Sequence, residues 1–311
     1  MTHLAVGIDG SPDVDAVERA VRIAEDAGFA FVTFDDAGVE AGVLASYLAL
    51  RTSRIGLAPT LHTTTTEPFH LATQLASLDH ATLGRAAWVV GAPNSASALA
   101  TIGRSPLGPQ ALRREVSDVV EVARALWDSW EDDAVIRDVA TGRFLDADRV
   151  HHVNFTGDTF SVVGPLITPR PPQGQVVVLG SDTLDVTARL DVALVGPEVA
   201  GRAAAARADG APLVFADVDV LIDETGTRTD TRASTDRLRH VGTTAGLREL
   251  LAGLAGTVDG VVLHPADLTI DLPLLADAFG GRPGPARTLR DVLGLPRPAN
   301  RFTTVAGEGT P

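Results

Sequence analysis

Residues 54–91 read RIGLAPTLHTTTTEPFHLATQLASLDHATLGRAAWVVG. Arg54–Pro59 is a short β-rich run, Glu67–Leu83 is rich in Ala and Leu, and Arg85–Gly91 is a second β-rich run. Pro68 falls in the first turn of the middle segment, where a missing N–H is harmless, and Gly84 stands just past its end. That punctuation predicts a helix between two strands. Strands joined through a helix run parallel, with a right-handed crossover.

The same alternation extends in both directions. Leu4–Asp9, Phe29–Phe34, Gln175–Gly180, Asp191–Gly196, Pro212–Asp217 and Val258–Leu263 bring the β-rich runs to eight. Several, such as VVVLG at 176–180, are almost continuously apolar, as parallel strands covered on both faces should be. Ser11-Pro12 opens the first helix and Gly28 closes it, with Val14, Val17, Val21 and Ala24 at helical spacing. A long helix is predicted over Pro106–Trp130, with Val116, Val119, Val120, Ala123 and Leu126 on one face. Eight strand–helix units point to an α/β fold, a (β/α)8 TIM barrel, as one domain over residues 1–311. An open doubly wound sheet is the alternative.

One segment breaks the rhythm. Residues 131–174, between strands four and five, carry charge clusters and turn-formers, and read as a partly hairpin excursion packed on the barrel. Trp130, Phe144, Phe155 and Phe160 are its expected anchors. Asp223–Thr235 reads as a polar loop, and 281–311 as a tail rich in Pro, Gly and Arg.

Composition narrows the chemistry. The chain has 311 residues, no cysteine and a net charge of −14, and all 26 of its cations are arginine. Without cysteine or lysine there is no disulfide, thiolate ligand, Schiff base or P-loop lysine. No basic run suits nucleic acid, and no apolar run approaches the ~20 residues of a membrane helix. The opening MTHLAVGIDG lacks a signal-peptide pattern, so a soluble cytoplasmic location is the expectation. No glycine fingerprint, nucleophile elbow or metalloprotease motif is present.

In a barrel of this kind chemistry gathers at the carboxyl ends of the strands. There the sequence places Asp9, Asp35, Asp36, Thr60, His62, Gly91, Asn94, Ser181, Asp182, Asp217 and His264. Polar strand ends also arise simply from meeting solvent, and no catalytic residue is singled out. His70 and His80 fall within a helix, and the neighbours His151 and His152 would point to opposite faces of a strand, so no metal site is expected. Trp127 and Trp130, three apart, suit packing. The run Thr63–Thr66 suits a loop and helix cap, with hydroxyls within reach of the mouth.

Arg51–Trp88 closely resembles the third and fourth β/α units of the bacterial-luciferase-like flavin monooxygenases, in the subgroup of nitrilotriacetate, dibenzothiophene-sulfone and long-chain alkane monooxygenases. Leu126–Leu166 with PRPPQG at 169–174 resembles the insertion of that subgroup, and TLRDVLGLPRPANRF at 288–302 its carboxyl-terminal signature. The resemblance implies a homodimer that takes reduced FMN from a separate NAD(P)H-dependent flavin reductase, activates molecular oxygen and puts one oxygen atom into a small organic substrate. It also implies a flavin site drawn from Asp36, Thr60, His62, Gly91, Arg113, Ser181 and Thr183.

That site departs from the family pattern. His62 stands where a small hydroxyl residue is usual, and Trp88-Val89-Val90-Gly91-Ala92-Pro93 replaces the family's Trp-Asn-Val-Val-Thr-Ser. Arg113 takes the tyrosine position before the long helix. The phosphate turn is reduced to Gly180-Ser181-Asp182-Thr183, with Asp182 adding a repelling charge. FMN is therefore expected to bind weakly or not at all. The alternatives are a flavin-free or weakly flavin-binding barrel kept for binding or for pairing with an active relative, and an F420-dependent oxidoreductase.

Overall fold

A computed structural model describes residues 3–10, 13–36, 38–282 and 284–303. In chain order the strands are β1 (His3–Ile8), β2 (Phe31–Phe34), β3 (Gly56–His62), β4 (Ala87–Gly91), β5 (Val135–Asp138), β6 (Arg143–Leu145), β7 (Phe155–Thr156), β8 (Ser161–Val162), β9 (Val177–Ser181), β10 (Val192–Val195), β11 (Leu213–Ile222), β12 (Leu238–Gly242) and β13 (Gly260–Pro265). β1, β2, β3, β4, β9, β10, β11 and β13 pair in parallel around a ring. Closure comes from Val192 against Leu213 and from His3 against Gly260, which excludes the open doubly wound sheet.

The helices are α1 (Val14–Asp26), α2 (Ala41–Ala49), α3 (Pro68–Thr82), α4 (Ala96–Ala100), α5 (Pro109–Trp127), α6 (Val199–Ala208), α7 (Thr244–Leu254), α8 (Asp271–Phe279) and α9 (Leu289–Leu293). In α3, Glu67 caps the N–H groups of Phe69 and His70, Pro68 sits in the first turn, and Leu83 and Gly84 leave through positive φ. Ser11-Pro12 lies outside the described residues; Asp13 caps α1, accepting from the Asp15 and Ala16 amides. The long helix is shorter than Pro106–Trp130 because Pro109 has no N–H to continue an earlier turn and the chain turns away after Trp127. Its expected face, Val116 through Leu126, is fully buried.

Three features depart from eight regular units. The fifth has no α-helix: Asp182–Leu184 and Thr187–Arg189 are single 3₁₀ turns. β11 runs five residues beyond the predicted Asp217 because β12 pairs with Val218–Ile222 outside the ring. The predicted tail folds back, and α9 caps the amino-terminal foot of the lumen with Leu289 and Leu293.

The excursion forms two hairpins, β5–β6 and β7–β8. Trp130 Nε1 donates to the Leu166 carbonyl, and Phe155 and Phe160 stack at 5.7 Å against the core. Thr159 donates to Glu115 on α5, so the second hairpin lies along that helix. Phe144 is no anchor; it is 61% exposed on a hairpin with nothing over it. Among the described residues no helix is long and apolar enough to cross a membrane.

Candidate functional site

The two-residue period of a strand decides which side chains enter the lumen. Ala5, Phe31, Ala58, Phe215 and Val262 belong to its apolar lower layer. Further along the same faces come Gly7 and Asp9, Thr33 and Asp35, Thr60 and His62, Asp217 and Asp219, and His264. The lumen changes from hydrocarbon to charge within one or two steps.

His264 is at the centre, 3% exposed. Its Nδ1 is 2.9 Å from Asp9 and its Nε2 2.5 Å from Asp217. With a carboxylate at each nitrogen, the ring is held as a two-proton donor. Burial alone would lower its pKa, but Asp217 and Asp9 outweigh burial and push it up to about 9. Asp217 is held below the usual carboxylate range by His264 and Arg237 against the opposing effect of burial. Gly7 makes the arrangement possible: a Cβ there would stand 2.0 Å from His264 Nδ1.

A strap crosses the mouth above this group. Arg237 donates to Asp9, to Asp217 at 3.3 Å and to Asp219 at 3.4 Å. Thr235 donates to Asp219 at 2.7 Å, and Arg239 reaches the same carboxylate at 3.4 Å. Arg232 pairs with Asp230 at 2.8 Å and donates to the His264 carbonyl at 3.1 Å. Asp35 differs from its neighbours: it accepts from the Thr60 hydroxyl at 2.7 Å and has no cation partner among the described residues. Burial, and then the charge of Asp9, raises its pKa.

The residues expected to hold a flavin fall into two groups. Thr60, His62, Gly91 and Asp36 lie together beside the mouth. His62 Nε2 is 3.2 Å from Asp36, whose other oxygen accepts from the Ala41 amide at the start of α2. The register sets His62 opposite Gly91, and a Cβ at position 91 would stand 2.2 Å from His62 Nδ1. The imidazole therefore fills the space that a side chain at 91 would need. His62 Nδ1 is buried without a partner among the described residues.

The second group is Arg113, Ser181 and Thr183. Arg113 and Thr183 line a cleft of about 370 Å³ at the amino end of α5, and Ser181 joins Thr183 through a 2.8 Å hydroxyl contact. Arg113 pairs with Asp185 at 2.9 Å, both side chains well exposed. Asp182 does not act as the free repelling charge expected from sequence, because Arg202 takes it at 2.9 Å. Asn94 is turned to another task, bonding the Leu107 amide and carbonyl at 2.8 Å each.

Sequence reasoning had Asp9, Asp35, Asp217 and His264 among the strand ends without a role for any of them, and missed Asp219 and Arg237. The alternation Asp217-Val218-Asp219-Val220 signals two inward carboxylates, provided the strand is known to continue. Nothing local announces Arg237.

Residues 1–234 match the family model described as luciferase-like monooxygenase. N-acetyl-S-(2-succino)cysteine monooxygenase of Bacillus subtilis (strain 168) is 47% identical over 137 residues, covering 44% of this chain and 31% of that protein. The chain thus matches about a third of the length of that relative. One component of the pristinamycin IIA synthase of Streptomyces pristinaespiralis is 33% identical over 304 residues, covering 92% of this chain and 90% of that one. Among solved structures, EDTA monooxygenase from Chelativorans sp. BNC1 superposes with a TM-score of 0.81 at 19% identity, covering 95% and 99% of the two chains, a likeness of fold. Nitrilotriacetate, dibenzothiophene-sulfone and long-chain alkane monooxygenases are also among the relatives, the subgroup anticipated from sequence. The chain belongs to the luciferase-like monooxygenase family.

Proposed function

We propose that this chain is the oxygenase component of a two-component monooxygenase that uses reduced FMN, delivered by an NAD(P)H-dependent flavin reductase, to oxidise a small organic substrate. In this reading residues 1–311 work as one cytoplasmic barrel domain in a homodimer. The observation that carries it is the cleft lined by Arg113 and Thr183 at the amino end of α5, with Ser181 bonded to Thr183. A guanidinium, two hydroxyls and a helix amino terminus are the donors a phosphate monoester needs. Bound there, FMN would supply the activation of molecular oxygen that no side chain of this protein can.

The fit is loose, and this supports weak, transient binding. Arg113 must leave Asp185 to take a phosphate, although an exposed pair of this kind is worth only about 0–1 kcal/mol. Val89, Ala92 and Pro93 offer no side-chain donor where the family resemblance implies amide and hydroxyl groups. At about 0.5–1.5 kcal/mol for each lost hydrogen bond, affinity falls by orders of magnitude.

The mouth residues divide the remaining work. His264, with its raised pKa, stays charged across neutral pH; both its N–H groups are taken by Asp9 and Asp217, so it fixes those carboxylates and does not act as a base. Asp35, with a raised pKa and no ion-pair partner among the described residues, is the group suited to keep and deliver a proton at its carboxyl. The apolar lower layer of the lumen excludes water.

Fluorescence titration with oxidised FMN, and anaerobic titration with reduced FMN, test the reading. We expect dissociation constants above about 1 μM and substrate-dependent oxygen uptake when the reductase is present. A submicromolar constant, or a yellow protein as purified, would overturn the weak site and leave the oxygenase intact. No binding in either redox state, with no oxygen uptake, would support a second reading, in which the chain pairs with a flavin-holding relative. The strap, whose arginines occupy the mouth carboxylates, favours that reading. So does the synthase relative matched along most of its length, which is itself one part of a larger enzyme.

A further inference from the structure

The opposite end of the barrel holds a second cavity, of about 480 Å³, between the amino ends of β1 and β2, the end of α8 and the approach to α9. Its character differs from that of the mouth. Phe29, Phe279, Pro285 and Val292 contribute an apolar wall, while Arg54, Arg282 and Arg287 contribute guanidinium groups. We propose that this foot cavity is a binding site for a compact organic anion with a flat apolar body, of the aryl phosphate class.

Charge availability is the core of the argument. Nearly every arginine at the mouth is tied to a carboxylate, but Arg282 and Arg287 form no ion pair among the described residues, in a protein whose net charge is −14. Arg54 has one weak pair, 3.5 Å from an Asp26 that is 80% exposed, and its Nε has no acceptor among the described residues. Three guanidinium groups face two carboxylates at the cavity, Glu25 and Asp291, which leaves the lining with a net positive charge. Glu25 turns one oxygen to the amides of Ser53, Arg54 and Ile55, at 2.8, 2.6 and 3.1 Å, and Asp291 lies exposed in α9 without an ion pair among the described residues.

Guanidinium groups bind phosphate in bidentate fashion, and a ring against the apolar wall would exchange water for apolar contact. The volume is in the range of small-ligand pockets. Inorganic phosphate leaves the apolar wall wet, and a neutral aromatic leaves the arginines unanswered. Only a molecule carrying both parts uses the whole cavity. Because active sites of such barrels lie at the other end, the occupant is an effector or structural ligand and not the substrate.

Calorimetric titration with phenyl phosphate tests the proposal, with inorganic phosphate and benzyl alcohol as the two half-ligands. Phenyl phosphate should bind saturably, at least about tenfold more tightly than either half. Arg282→Gln with Arg287→Gln should weaken it at least about tenfold while leaving the melting temperature of the free protein unchanged, since neither side chain has an ion-pair partner to lose among the described residues. Val292→Phe, which fills the apolar side, should weaken phenyl phosphate and spare inorganic phosphate. Absence of saturable binding, equal binding of inorganic phosphate, or full affinity in the double arginine variant would each overturn the site.

Discussion

The two ends of the barrel handle charge in opposite ways. At the mouth Asp9, Asp217, Asp219 and His264 are locked with Arg232, Arg237 and Arg239 into a network that closes on itself. At the foot a buried knot, Asp191 with Arg124 and Arg290, joined through Gln175 to the Asp128–Arg170 pair, is accompanied by arginines that answer to no carboxylate among the described residues. A closed network fixes geometry and proton positions but has little charge left for a ligand. Unpaired arginines cost little while they are hydrated, and they stay available. The mouth is thus built for positioning, and the foot, outside its knot, for capture.

The largest expected effect lies in the foot knot. Asp191 accepts from Arg124 at 2.9 Å, from Arg290 at 3.1 Å and from the Val178 amide at 2.9 Å. Arg290 is 2% exposed. Asp191→Ala should cost about 3–5 kcal/mol in urea denaturation, because a buried guanidinium loses its counter-charge. A loss below about 1 kcal/mol would mean that the foot has no rigid part to set against the mouth.

The mouth should respond to pH in a direction its geometry fixes. His264 has a folded pKa of about 9, above the unfolded value of 6.5. Its contribution is therefore complete below pH 6.5 and disappears as pH rises through 9. Stability should fall by up to about 3 kcal/mol over that window, at about 1.36 kcal/mol per pKa unit. His264→Gln should flatten the slope. An unchanged slope in that variant would show that the groups facing His264, which are Asp9, Asp217 and Arg237, do not hold it charged.

Gly7→Ala probes the same network by volume alone. The added methyl would strike the His264 ring, and neither side of that contact can retreat from a parallel sheet, so the cost should be about 1–3 kcal/mol. A neutral result on thermal melting would mean that His264 has another seat.

The smallest effect belongs to the cleft between mouth and helix. Asp185→Asn frees Arg113 and should tighten oxidised FMN by a few fold, about 0.5–1 kcal/mol, with melting temperature nearly unchanged. Affinity that does not move would remove Arg113 from the flavin site.

Much of this molecule is legible in its sequence. The eight strand runs, Pro68 and Gly84 around α3, and the apolar stripe of α5 are local signals, because strand and helix periodicity are written in neighbouring residues. Those signals determined the barrel, and the long matched strings determined the family. Tertiary structure decided the site. Asp35 and Asp36 read alike in sequence, and the strand period turns Asp35 into the lumen. Asp182 reads as a repelling charge until Arg202 stands beside it. Arg237 meets Asp9 across 228 residues of chain, and the His62 ring fills the space beside Gly91 on the neighbouring strand. An ion pair has no period and leaves no trace in local spacing. Only the closed sheet, by bringing eight strand ends to one mouth, decides which carboxylate meets which cation.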